Sequence, residues 1–384
     1  MTIRKNAWEQ FAFLDIPLFL LGMNYMLYNA LAMDTMKTIF RVGAICLLLA
    51  GWILKGKFIV DKKAFFAMAL AMVSLMLNGS MALNFVVIVL FAICASYSLE
   101  TIVKSAFRIN VFLVLVMIVL MALHIVNNTS YVSTMGRLRY TLGERLDVNP
   151  KDINAYVMGE HVAALFYSSA IYLLLVSRKK LKGIVVIFAF LMTGVVFYYT
   201  NSRTSLLALL AFVALEGMYL FFEKRNMENA LRIFGKCSIA IIDMLFILNL
   251  VSVFIIDKFM VFDALLSFRI STFSRMINSS GIKCFLLGGT TATVDNFYYM
   301  LLFQYGIFIY IFVAISTHFA MKKMVTSRNS RYISLLVGLF LVAMMESSLI
   351  RPEILVALVV WKIILSGNNE SLIESNTEIN EEIE

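Results

Sequence analysis

Eight arginines, Arg137, Arg139, Arg145, Arg203, Arg269, Arg275 and Arg351 with Arg41 at the mouth of a span, stand at alternate links between long apolar stretches, and those links hold only four lysines. The planar guanidinium binds phosphate or carboxylate oxygens in pairs and keeps its charge when partly dehydrated. Arginines gathered on one surface of a hydrophobic body suit an amphiphilic anion, such as a lipid-linked diphosphate or an acidic glycan. The intervening links are lysine-rich instead.

Three short segments carry most of this potential chemistry. In Arg137-Leu138-Arg139-Tyr140, an extended backbone would turn Arg137 and Arg139 the same way. Arg145 follows, then the turn signal Asn149-Pro150, with Asp152 or Asn154 as a candidate helix cap. The alternative is a wet loop in which these cations pair with Glu144, Asp147 and Asp152. Asn201-Ser202-Arg203-Thr204-Ser205 is a very short turn between two apolar stretches, so Arg203 either reaches to lipid headgroups or points into a cleft. In Ser267–Met276, aromatic, hydroxyl and basic residues alternate as in a helix lying in a membrane interface. Arg269 and Arg275 there stand roughly 120° apart on a helix, so one ligand need not touch both.

Candidate acids and bases are few. Asp295 opens an apolar stretch beside Asn296, close in kind to the arginine links, where a carboxylate could accept the proton of a sugar hydroxyl. A helix cap is the competing role for Asp295. Glu160 and His161 begin another stretch and are reserve candidates. The other two histidines are His124, at the end of a stretch, and His318, near the opposite side. No HExxH or comparable spacing occurs, four cysteines are scattered, and no metal or cofactor is expected. Gly288-Gly289-Thr290-Thr291 lacks the lysine of a P-loop and reads as a turn.

The elements that must position these residues are membrane helices. With 61% hydrophobic and 15% charged residues, the chain is expected to be an all-α polytopic membrane protein. About twelve spans are predicted. The first six are Phe11–Ala32, Thr38–Leu54, Ala64–Leu77, Met81–Leu99, Ile109–Val126 and Gly159–Ser177. The others are Gly183–Tyr199, Ser205–Phe222, Cys237–Ile256, Phe297–Ala320, Tyr332–Met345 and Glu353–Leu365. Two longer external loops, about 127–158 and 257–296, join them. With the N-terminus inside, 20 of the 33 basic residues fall in inward links and 12 outside, while Lys362 lies within the last span. That asymmetry predicts both termini in the cytoplasm, with Trp8 and Trp52 at the inner interface. The first stretch reads as an uncleaved span, because removing it inverts the charge pattern. Residues 1–366 read as one transmembrane domain without internal repeats, and 367–384 as an acidic, disordered cytoplasmic tail. The net charge of +9 reports topology rather than nucleic-acid binding.

This constellation resembles the Wzy-type polysaccharide polymerases, within the superfamily that includes the O-antigen ligases. The resemblance rests on the architecture and on three segments. They are Gly143–Asn154; Thr200-Asn201-Ser202-Arg203-Thr204-Ser205-Leu206-Leu207; and Asp295-Asn296 followed, after nine residues, by Gly306. Ligases of this superfamily carry His at the position matching Asp295, so Asp leans towards a polymerase. The resemblance implies a GT-C-like, metal-independent inverting glycosyltransferase in the bacterial inner membrane, using no cofactor. Its substrates would be oligosaccharide repeat units on undecaprenyl diphosphate, joined into capsular, O-antigen or exopolysaccharide at the outer face. A chain-length regulator and a flippase are candidate further partners beside membrane lipid. Arg203, then Arg269 and Arg275, would stabilise the leaving diphosphate and Asp295 would act as base. Arg137, Arg139, Arg145, Glu160, His161 and Asn296 would bind substrate. The alternatives are a ligase, or a flippase or other transporter. A transporter predicts charges buried mid-span, and Glu216 and Asp243 are acids so placed.

Overall fold

The computed structural model describes residues 7–27, 31, 33–55, 62–126, 130–132, 138–140, 142, 146–147, 156–157, 160–178, 182–252, 254, 281, 283–289 and 295–365. The chain is an all-α polytopic membrane protein. After a π-turn at Phe11–Asp15 come α1 (Ile16–Tyr25), α2 (Asp34–Leu54), α3 (Lys62–Asn78), α4 (Leu83–Cys94) and α5 (Leu99–Ala122). Two antiparallel ribbons follow in the first long loop: β1 (Ser130–Val132) with β2 (Leu138–Tyr140), and β3 (Leu146–Asp147) with β4 (Tyr156–Val157). Then come α6 (Glu160–Ser177), α7 (Gly183–Thr200), α8 (Arg203–Lys224), α9 (Glu228–Ser252), α10 (Phe297–Met300), α11 (Ile307–Thr326), α12 (Ser330–Val342) and α13 (Leu355–Leu365).

Hydrogen bonds gather the alternate links onto two opposite faces. On the near face, where the chain enters, Tyr97 donates to the Glu9 carbonyl, Lys55 to that of Ser96, and Arg331 to those of Val176 and Arg178. Arg328 and Glu228 form an ion pair there. On the far face, Tyr140 packs edge-on against Tyr199, Arg41 meets Glu353, and Asn78 donates to the Leu287 carbonyl.

Six helices, not about twelve, are long and apolar enough to cross a membrane among the described residues: α5, α7, α8, α9, α11 and Thr35–Leu54 of α2. Of the other expected spans, Ala64–Leu77 and Gly159–Ser177 form α3 and α6, whereas Met81–Leu99, Tyr332–Met345 and Glu353–Leu365 fold shorter. At 1.5 Å per residue, α12 and α13 extend only about 20 and 16 Å, short of a hydrocarbon core of about 30 Å. Between them, Ala343–Ile354 carries only a single 3-10 turn, Ser348–Ile350. The expected span Phe297–Ala320 breaks at Gly306, between the π-turn Leu301–Tyr305 and α11. Gly306 has φ +90, and a Cβ there would stand 2.6 Å from the Leu286 carbonyl oxygen. A Cβ on Gly288 would stand equally close to the Gln304 carbonyl. The Gly288-Gly289 turn is therefore a backbone crossing that only glycine permits. The break delays the helix, so α11 runs on to Thr326 and His318 lies well inside it.

The core centres on α13. Every one of its residues is buried, the pattern of a helix that is apolar all round and enclosed by others. It packs against α4, α5 and α11. Lys362, its one charge, donates to the carbonyls of Ala92 and Ala95 at the C-terminal end of α4, where the helix dipole favours a cation. The outer helices turn apolar groups such as Phe65, Met76, Ile184, Ile187 and Phe308 outwards, as a lipid-facing surface requires.

Candidate functional site

The far half of the bundle contains the interrupted elements, and they meet at Glu346. This carboxylate lies in the link between α12 and α13 and is only 2% exposed. Its Oε1 accepts a hydrogen bond of 2.9 Å from the Thr204 hydroxyl in the first turn of α8. Thr204 in turn shares a 2.6 Å hydrogen bond with Ser202. The backbone carbonyl of Glu346 accepts from the Phe297 amide, at the start of α10. Glu346 thus joins the segment holding Arg203 to the segment holding Asp295.

Asn296 completes the junction. Its Oδ1 accepts from the Tyr299 amide, capping α10, while its Nδ2 donates to Asn249 Oδ1 and to the Met344 carbonyl. The cap is therefore Asn296, and Asp295 stands exposed just outside the helix. Short polar caps of this kind satisfy first-turn amides that nothing else reaches. Tyr299 also shares a 2.6 Å hydrogen bond with Ser252, tying α10 to the far end of α9.

A second charged group lies in the same link. Glu353, 3% exposed, pairs with Arg41 of α2 at 3.3 Å, and Arg351 is half-buried beside it in sequence. Ser347 and Ser348 are buried between the two carboxylates along the chain. Non-helical backbone at membrane depth persists only where protein encloses it or it lines a wet cavity. The Val356 amide donates to Ser169, while elsewhere the Asn24 carboxamide is buried without a hydrogen-bond partner among the described residues.

The sequence candidates distribute as follows. Arg203 is exposed at the first position of α8, and its neighbours Ser202 and Thr204 are the buried ones. The turn before it is held by Asn201 in the left-handed conformation, φ +49, closing α7. Arg139 lies in β2 opposite Tyr131, one residue from Tyr140, whose ring packs on Tyr199 at 5.3 Å between centroids. The first loop thereby folds back towards the Asn201–Arg203 turn, and Tyr167 pins it further by donating to the Leu142 carbonyl. Glu160 and His161 are the first residues of α6, with side chains outside the described set. Arg137, Arg145, Arg269 and Arg275 lie outside the described residues, as do Asp152, Asn154 and the acidic tail. Asn296, expected to touch substrate, is fully buried with its amide engaged by protein, the geometry of a positioning residue.

Glu346 is the site residue that sequence reasoning passed over. Its signal was present: a carboxylate and two serines separate two apolar runs at Met345-Glu346-Ser347-Ser348-Leu349. The two mid-span acids both have partners. Glu216 accepts from Ser330 and Ser334, joining α8 to the start of α12, and Asp243 bonds half-exposed His318 at 2.9 Å. Among the described residues no three His, Cys, Asp or Glu side chains gather as a metal site. No protein-family model, no curated protein and no solved structure matches this chain.

Proposed function

We propose that the chain is a polysaccharide polymerase of the Wzy type, a metal-independent inverting glycosyltransferase of the bacterial cytoplasmic membrane. In this reading the far face is the outer one and both termini are cytoplasmic. The observation that carries the proposal is the junction at Glu346. It brings together Ser-Arg-Thr at 202–204, which resembles a polymerase segment, and Asp-Asn at 295–296, which resembles the signature of the wider ligase superfamily, two segments far apart in sequence.

The growing chain on undecaprenyl diphosphate is the donor, and the terminal sugar of the next lipid-linked repeat unit is the acceptor. The acceptor hydroxyl attacks the anomeric carbon opposite the diphosphate, the glycosidic bond forms, and the bond to the diphosphate breaks with its electron pair. Charge grows on the leaving oxygen, so preplaced guanidinium groups favour the transition state over the ground state. Arg203 holds that role first, with Arg269 and Arg275. Exposed Asp295 accepts the hydroxyl proton. Arg137, Arg139 and Arg145 guide the anionic substrate, and Glu346 positions the segments of Arg203 and Asp295.

The test is reconstitution of the purified protein with a lipid-diphosphate-linked repeat unit from its own host, without added metal. A product ladder at repeat-unit spacing, lost on Arg203→Ala, is the expected result. A folded protein that makes no ladder but moves the same lipid across the bilayer is a transporter, and the proposal fails.

A further inference from the structure

The near face holds a basic cleft at the foot of an apolar stripe. The cleft, about 470 Å³, lies between the first helical segment, the start of α5 and the end of α6, and is lined by Gln10, Thr101, Lys104, Arg108, Ser177 and Arg178. The lining holds three cations and no carboxylate, while the Gln10 amide, the Ser177 hydroxyl and the Thr101 hydroxyl already bond to Ser105, the Leu174 carbonyl and Ser98. Two acids stand at its edge: Glu100 pairs with Lys104 at 2.8 Å and Asp15 with Arg108 at 3.5 Å. Both cations remain more than half exposed, at 57% and 62% of the side chain, so these pairs are weak and leave donors free to turn.

The same face of α5 continues upwards as Phe112, Leu115 and Val119, each more than half exposed. From Lys104 through Arg108 these positions follow one another at spacings of three or four, a single stripe along the helix. From Arg108 to Val119 the stripe rises about 16 Å, close to one leaflet of a hydrocarbon core of about 30 Å.

We propose that this cleft binds the phosphate of an acidic membrane lipid, with an acyl chain laid along the α5 stripe. A phosphodiester accepts paired hydrogen bonds from Arg108 and Arg178 and a further one from Lys104. The apolar stripe distinguishes a lipid from a soluble phosphate, because only the lipid covers both parts. Basic pockets between membrane helices take lipid headgroups by this combination of charge and greasy wall. The inference is independent of the polymerase reading, since it involves the opposite face.

Native mass spectrometry of the full chain released from detergent, with phosphatidylglycerol, phosphatidylcholine or inorganic phosphate added, tests it. Phosphatidylglycerol is expected to stay bound preferentially, and Lys104→Gln/Arg108→Gln/Arg178→Gln to lower its bound fraction at least tenfold. A matched triple, Lys224→Gln/Arg225→Gln/Lys236→Gln, removes equal charge elsewhere on the near face and should leave binding unchanged. Equal loss in both triples overturns the site. Displacement by inorganic phosphate, without preference for the acidic lipid, overturns the lipid assignment. Should the triple fail to fold, Arg178→Gln decides alone, because Arg178 stands outside both ion pairs. It should weaken binding severalfold, and unchanged binding counts against the site.

Discussion

Thr204 donates its hydroxyl to Glu346 across 142 positions of sequence, at 2.9 Å and out of reach of water. The bond fastens the first turn of α8 to the non-helical link between α12 and α13. A buried carboxylate that loses a donor bears a desolvation cost that no solvent offsets. The start of α8, and with it the placement of Arg203, therefore depends on a residue in another part of the chain.

Thr204→Val, nearly the same shape without the donor, should destabilise the protein by about 1–3 kcal/mol. Glu346→Gln keeps an acceptor and should cost less. Thermal unfolding in detergent ranks the two, and an unchanged midpoint for Thr204→Val would show that the bond holds nothing.

Arg203 should behave oppositely. It is exposed, so Arg203→Ala should alter stability by no more than about 0.5 kcal/mol, while polymer yield falls tenfold or more. Arg203→Lys restores the charge but not the planar fork and should recover activity only in part. Parallel melting curves and product ladders separate the two effects. A variant equally damaged in both would assign Arg203 a structural role.

The Arg41–Glu353 pair invites a double-mutant cycle. Removing one partner leaves the other charge buried, so Arg41→Met and Glu353→Met should each cost about 3–5 kcal/mol. The double variant should recover most of that loss, because two apolar groups replace a desolvated pair. Additive losses in urea or thermal unfolding would mean that the two side chains are not coupled.

Gly306→Ala places a methyl group against the Leu286 carbonyl in a left-handed backbone and should lower the yield of folded protein sharply. Gly217→Ala, within α8 and with nothing near its added carbon, should instead stabilise by about 0.5–1 kcal/mol. Size-exclusion profiles and melting temperatures of the pair check that contrast.

Much of the architecture was legible because lipid imposes a simple rule on sequence. Long apolar runs become helices, and polar links alternate between two faces; the ties between Lys55 and Ser96, and between Arg331 and Arg178, respect that alternation. Periodicity could not reveal where a run breaks. Phe297–Ala320 reads as one span, yet a backbone crossing at Gly288 and Gly306 splits it. Tyr332–Met345 and Glu353–Leu365 are already short in the sequence, but periodicity does not show the buried link around which α12 and α13 fold.

By itself, the sequence determined the membrane character, the helical class and the segregation of arginine from lysine links, since these follow from residue type and order along one dimension. Only the tertiary structure decided that Asn296 rather than Asp295 caps α10, that Arg41 and Glu353 pair, and that Glu346 joins two distant segments. Each of those facts depends on a buried polar group finding a partner. Which partner it finds is set by how the interrupted helices pack, a property that no local stretch of sequence contains.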